Sequence, residues 1–203
     1  MIQIKNAAEL EKMRKACAIS AAALKAGGEA IEPGITTAEI DKIIYDFIVR
    51  HGARPNFLHL YGFPATACIS VNDTVIHGIP SRQQQIRPGD IVSIDTGCKI
   101  DGFNGDNACT YACGKIDLEA QRLLDVTKEG LHRGIEMARG GNRVGDIGHA
   151  VQSYEMCIRD SPCTGRYPQE IRKHRRHRGL QRQESCSRWH CKEGRRGQGR
   201  HRP

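Results

Sequence analysis

Several things are missing from this 203-residue chain, and each absence narrows the possibilities. The opening stretch, MIQIKNAAELEKMRK, has no apolar core of the length a signal peptide needs. No run elsewhere reaches the ~20 apolar residues of a transmembrane helix, so no membrane association is expected. The nine cysteines form no CxxC pair, and without a secretory leader they read as reduced thiols of a cytoplasmic protein. Five lie in the body (Cys17, Cys68, Cys98, Cys109, Cys113) and are expected to be small buried hydrophobes. Aromatic residues make up only 5% of the chain, although a hydrophobic content of 38% is enough for a core.

The body also lacks an excess of either charge. The formal net charge is +8, but residues 155–203 hold 14 Lys and Arg against 5 Asp and Glu, which leaves 17 against 18 for residues 1–154. All the basic character therefore sits in the tail. The tail in turn lacks Val and Phe and has no apolar periodicity around its Trp189, so it is not expected to bury a core of its own.

What is present begins with two helices. Asn6 and Glu9 form a capping box, and Met13, Cys17, Ala21 and Leu24 recur at helical spacing up to Gly27-Gly28. Thr36 and Glu39 repeat the box, and Ile40, Ile43, Ile44, Phe47 and Ile48 form an apolar stripe that stops at Gly52. Residues 55–64, PNFLHLYGFP, are an apolar, aromatic loop that either folds onto the core or lines a pocket for an apolar group. Ala67 to Val71 reads as a strand, Asn72-Asp73 as a turn, and Thr74 to His77 as the returning partner strand. His77, at the end of that strand, is open to a structural or a functional reading.

Ile91 to Cys113 is the most telling stretch. Asp101-Gly102 is a strong type I′ hairpin signal between two β-rich runs. If those residues form the loop, Asp95 sits opposite Ala108, and Asp106 lies on the same face along the diagonal, about 7–8 Å away between Cα atoms. Two carboxylates so placed repel unless a cation lies between them, and two cations ~3.5–4 Å apart would also fit. The plainer reading is that both aspartates are solvated or bonded locally. After the hairpin, Asp117 starts a long helix with Ala120, Leu123, Leu124, Val126, Thr127, Leu131, Ile135 and Met137 on its expected core face, and Val144 to Tyr154 begins another. Two helices, a run of strands and two helices imply an α+β domain around an antiparallel sheet.

Taken together, FLHLYGFPATACISVNDTVIHGIP and RPGDIVSIDTGCKIDGFNGDNA closely resemble bacterial type I methionine aminopeptidase, from about Ile4 to Tyr154. The resemblance implies the amino-terminal half of a pita-bread fold, whose two αβ halves surround a dinuclear metal site. It implies two divalent ions (Co, Mn, Fe or Zn), with Asp95 binding one and Asp106 bridging both. It also implies a substrate-facing role for His77 and a methionine pocket lined by Phe57, Leu60, Phe63 and Cys68. The expected activity is removal of the initiator methionine from nascent polypeptide N-termini, near the ribosome, by a cytoplasmic monomer.

The resemblance stops after Tyr154. The family's other three ligands, a histidine and two glutamates, have no recognisable counterpart, so the chain as it stands is expected to be inactive. Residues 155–161, EMCIRDS, resemble what a transposon-end sequencing adapter encodes in one frame. Residues 1–154 are accordingly expected to be the catalytic domain's amino-terminal part. Residues 155–203 are expected to be a non-native or disordered basic tail, an adapter or frameshift product. Two other readings stay open: a catalytically dead binding module whose tail contacts nucleic acid through phosphates, and a zinc site at Cys186, His190 and Cys191.

Overall fold

The hairpin forms the centre of the fold. In a computed structural model, which describes residues 4–159, strands β3 (Ile91–Ile100) and β4 (Phe103–Ala112) pair antiparallel along their full length. Asp101 and Gly102 both take positive φ, 51° and 85°, as a type I′ turn requires. The register that follows sets Asp95 opposite Ala108 and Gly97 opposite Asp106. Two further strands add to β3: β1 (Arg54–Pro55) at Lys99 and Cys98, and β2 (Ala67–Val71) along residues 92–96.

Because side chains alternate along a strand, this one sheet has two unlike faces. One is covered by helices α1 (Ala7–Glu29) and α2 (Thr37–Arg50), each opened by the capping box expected of it. Val92, Ile94, Thr96 and Cys98 of β3 are fully buried, and the core extends through Ile69, Ile40, Ile44 and Ile48. The opposite face carries Cys68, Ser70, Ser93, Asp95, Asp106 and Thr110. On it, the Ser93 and Thr110 hydroxyls bond across the strands at 2.8 Å.

Several sequence expectations need correction. The buried face of α1 is Ala16, Ser20, Ala23, Leu24 and Gly27, whereas Cys17 and Ala21 point outward. The helix lies so close to the sheet that small residues must face it. A side chain at Gly105 would overlap the Ala16 carbonyl, and one at Gly28 would overlap the Tyr111 ring. Close approach therefore outweighs the larger apolar residues as the determinant of the buried face. Among the body cysteines, Cys68, Cys98 and Cys113 are buried, but Cys17 and Cys109 are exposed. Residues 74–77 form no strand. Val75 and Ile76 are 86% and 66% exposed, and the segment returns to β2 only at Gly78.

The second helical pair is α3 (Leu118–Met137), capped by the Asp117 side chain, and α4 (Val144–Arg159), which runs five residues past Tyr154. The expected core face of α3 is not buried: Leu123, Leu131 and Ile135 are 57–60% exposed. Its buried positions are Gly130 and Gly134, where the absence of side chains admits Ile147 and Val151 of α4. No described helix is long and apolar enough to cross a membrane. The expectations for the basic tail, from its nucleic-acid contacts to Cys186, His190 and Cys191, lie outside the described residues.

Candidate metal centre

Asp95 comes from the middle of β3 and Asp106 from β4, on the face the helices leave open. Asp95 is half-buried. Burial first, and then the neighbouring charge of Asp106, push its carboxyl above the usual carboxylate range; His77 offsets this in part. Cys68 stands directly across from Asp95 in the β2–β3 register. Burial raises its thiol, and the charges of Asp95, Asp106 and Asp41 raise it further, which disfavours the thiolate in which sulfur binds metal.

The donor set suits a divalent cation. Two hard carboxylate oxygens converge on an open face, and a cation would relieve the repulsion that now raises Asp95. The set is also small. Among the described residues, no group of three or more His, Cys, Asp and Glu side chains gathers as a ligand cluster. Asp95 and Asp106 would hold the ion, and water would fill its other positions.

Beside the carboxylates lies a cavity of about 540 Å³. Phe57, Leu60, Phe63, Cys68, His77 and Asp95 all line it, so residues that are 38 positions apart in sequence meet around one space. Tyr61, Gly62, Pro64 and Ile79 complete the lining. These four lie inside the apolar loop and the HGIP turn at residues 77–80, so membership of those two segments was the signal that could have found them.

Each wall has a local cause. The loop from Phe57 to Phe63 closes on itself: the His59 amide donates to the Phe63 carbonyl at 2.8 Å and the Phe63 amide to the Leu60 carbonyl at 2.9 Å. His59 and Tyr61 take positive φ, 68° and 49°, a conformation that side chains other than glycine adopt only under constraint. Tyr61 is fully exposed at the cavity's rim. The other wall is the HGIP turn. Gly78 takes the Ile69 amide on its carbonyl at 2.8 Å and donates its own amide to Ser70 Oγ at 3.1 Å. A Cβ at Gly78 would overlap the Ile69 carbonyl, so only glycine lets His77, at φ 57°, stand beside β2.

The model of metallopeptidase family M24 matches residues 11–159. The chain is 46% identical over 154 residues to the methionine aminopeptidase of Clostridium acetobutylicum, covering 76% of this chain and 62% of that protein. It is 42% identical over 154 residues to methionine aminopeptidase 1 of Bacillus subtilis, with the same coverages. The crystal structure of methionine aminopeptidase from Rickettsia prowazekii superimposes with a TM-score of 0.74 at 38% identity, over 76% of this chain and 62% of that one. The chain thus spans just over three fifths of the length of the relatives it matches.

Proposed function

The chain belongs to metallopeptidase family M24, and from that premise we propose that it is the amino-terminal, carboxylate-bearing part of a methionine aminopeptidase, which removes initiator methionine from nascent polypeptides. The observation that carries this reading is the pairing of Asp95 and Asp106 with an adjoining apolar cavity lined by Phe57, Leu60, Phe63 and Cys68. The cavity suits an unbranched apolar side chain, and the carboxylates suit a cation held at its end.

In this reading the metals are two divalent ions drawn from Co, Mn, Fe and Zn. When bound, they polarise the carbonyl of the first peptide bond and supply hydroxide at neutral pH. The rest is the work of this chain's residues. Phe57, Leu60 and Phe63 exclude water from the methionine side chain, and Cys68 forms the floor beside Asp95. His77, on the cavity wall, orients the substrate backbone. The partners are the free amino termini of nascent chains near the ribosome, and the protein acts as a cytoplasmic monomer.

The alternative of a catalytically dead binding module is not favoured, because the relatives it resembles are methionine aminopeptidases. With Asp95 and Asp106 as its described ligands, however, the 203-residue chain turns over no substrate by itself.

The test uses the full chain with Mn²⁺, following metal by calorimetry and methionine release from a Met-Gly peptide. The expected result is weak metal binding, lost in Asp106→Ala, with no released methionine. Mn²⁺ binding that is unchanged in Asp95→Ala and Asp106→Ala variants would remove the metal reading. Methionine release that depends on Asp106 would overturn the inactivity.

A further inference from the structure

Two buried backbone donors at the mouth of β2 have an unexpected acceptor. The chain leaves the apolar loop at Pro64 and enters β2 at Ala67, and Ala65, Thr66 and Ala67 are 7%, 1% and 0% exposed. Amides this deep need partners, because water cannot reach them. The Thr66 and Ala67 amides both donate to Asp41 Oδ1, at 2.9 and 2.8 Å. Asp41 lies on α2, 25 and 26 residues earlier in the chain. Nothing in the helix's own stripe of Ile40, Ile44 and Ile48 calls for a carboxylate beside it.

One turn earlier on the same helix face, Thr37 makes the matching connection to the cavity's other wall. Its hydroxyl donates to the Ser81 carbonyl at 3.1 Å and accepts the Ser81 amide at 2.9 Å. The otherwise unpaired amides of the first helical turn join in, from Thr37 to the Gln84 carbonyl at 3.0 Å and from Ala38 to that of Ser81 at 3.3 Å. Ser81 follows His77 and Ile79 by four and two residues, and Thr66 precedes Cys68 by two. The first two turns of α2 therefore grip both segments that bound the cavity, just outside the residues that line it.

We propose that Asp41 is a positioning residue of the pocket, fixing the exit of the apolar loop so that Phe63 and Cys68 face the cavity, with Thr37 holding the HGIP wall opposite. This rests on the methionine-pocket reading given above, but only for what the cavity binds; the grip on the loop stands without it. Asp41 touches no substrate and acts through the backbone of Thr66 and Ala67. Burial raises its carboxyl above the usual carboxylate range, against the pull of the two amide bonds. What the position needs is an acceptor oxygen more than a charge, and the amide of asparagine supplies one.

The experiment compares the full chain with its Asp41→Ala and Asp41→Asn variants by amide hydrogen exchange and by NMR titration with L-methionine amide. In Asp41→Ala, exchange at Thr66 and Ala67 should accelerate about 100-fold while Val92 and Ile94 stay protected, and methionine amide should bind about tenfold more weakly. Asp41→Asn should stay within a few-fold of the parent in both readouts. Unchanged exchange at Thr66 and Ala67, equal acceleration at Val92 and Ile94, or no rescue by asparagine would each overturn the proposal. A parent chain that binds no methionine amide would count against the pocket's function alone, because the exchange pattern still decides the role of Asp41.

Discussion

The two faces of the sheet are built by the same strands and follow opposite rules. Toward α1 and α2, every second residue of β3 is apolar or small and fully buried, from Val92 to Cys98. On the other face, Ser93 and Asp95 are polar and half-buried, and burial together with the charge of Asp106 pushes the Asp95 carboxyl upward. A one-residue shift in register would exchange the two sets. The helix-covered face provides the stability that lets the open face keep two carboxylates in mutual repulsion.

The largest expected effect comes from damaging the covered face. Ile94 is fully buried among the core residues, so Ile94→Ala should cost about 2–5 kcal/mol in urea unfolding. Leu131, on the outer face of α3, is 60% exposed, and Leu131→Ala should stay within about 0.5 kcal/mol. Similar losses at the two sites would mean that α3 packs in solution against something that buries its leucines.

A subtler break adds atoms instead of removing them. Gly105 sits in β4 where α1 passes over the sheet, and a methyl there meets the Ala16 carbonyl and the Cys17 amide. Backbone cannot swing aside as a side chain can, so Gly105→Ala should cost about 1–3 kcal/mol. Gly102, in the turn, has open space around it, but its φ of 85° makes alanine strained for a different reason. A Gly105→Ala variant as stable as the parent would show that α1 rides higher over the sheet than this geometry allows.

Much of this was legible in the residues, though unevenly. The Asp101-Gly102 turn and strand alternation together gave the Asp95–Ala108 register, and hence the shared face of the two carboxylates. Capping boxes gave the starts of α1 and α2 within a residue. The buried face of α1 was not legible, because apolar periodicity favours large residues and the contact is made by Ala16, Gly27 and Gly28. Thr74 to His77 looked like a strand by composition, yet Gly78 makes the return to β2. The exposure of Leu123 and Leu131 followed no local signal, since their spacing describes a face and not what covers it. Asp41 was silent as well: a lone aspartate inside a helix stripe carries no mark of the two amides it holds.

The smallest expected effect tests the ion pair between Lys15 of α1 and Asp101 of the hairpin turn. Lys15 Nζ lies 2.8 Å from Asp101 Oδ2, with both side chains about half exposed. The hydrogen bond from Lys15, and then its charge, hold the Asp101 carboxyl below the usual aspartate range. A carboxylate whose folded pKa is depressed stabilises the fold above its unfolded pKa, and that contribution fades as pH falls through the folded value. The pair should therefore matter at neutral pH and vanish in acid, below the ordinary aspartate range. Surface pairs of this kind are weak and are screened by salt. Melting curves of the parent and Lys15→Met at falling pH should accordingly differ slightly at pH 7 and converge in acid, and added salt should shrink the neutral-pH difference. A difference that persists in acid would assign the effect to packing of the lysine stem against the hairpin, not to its charge.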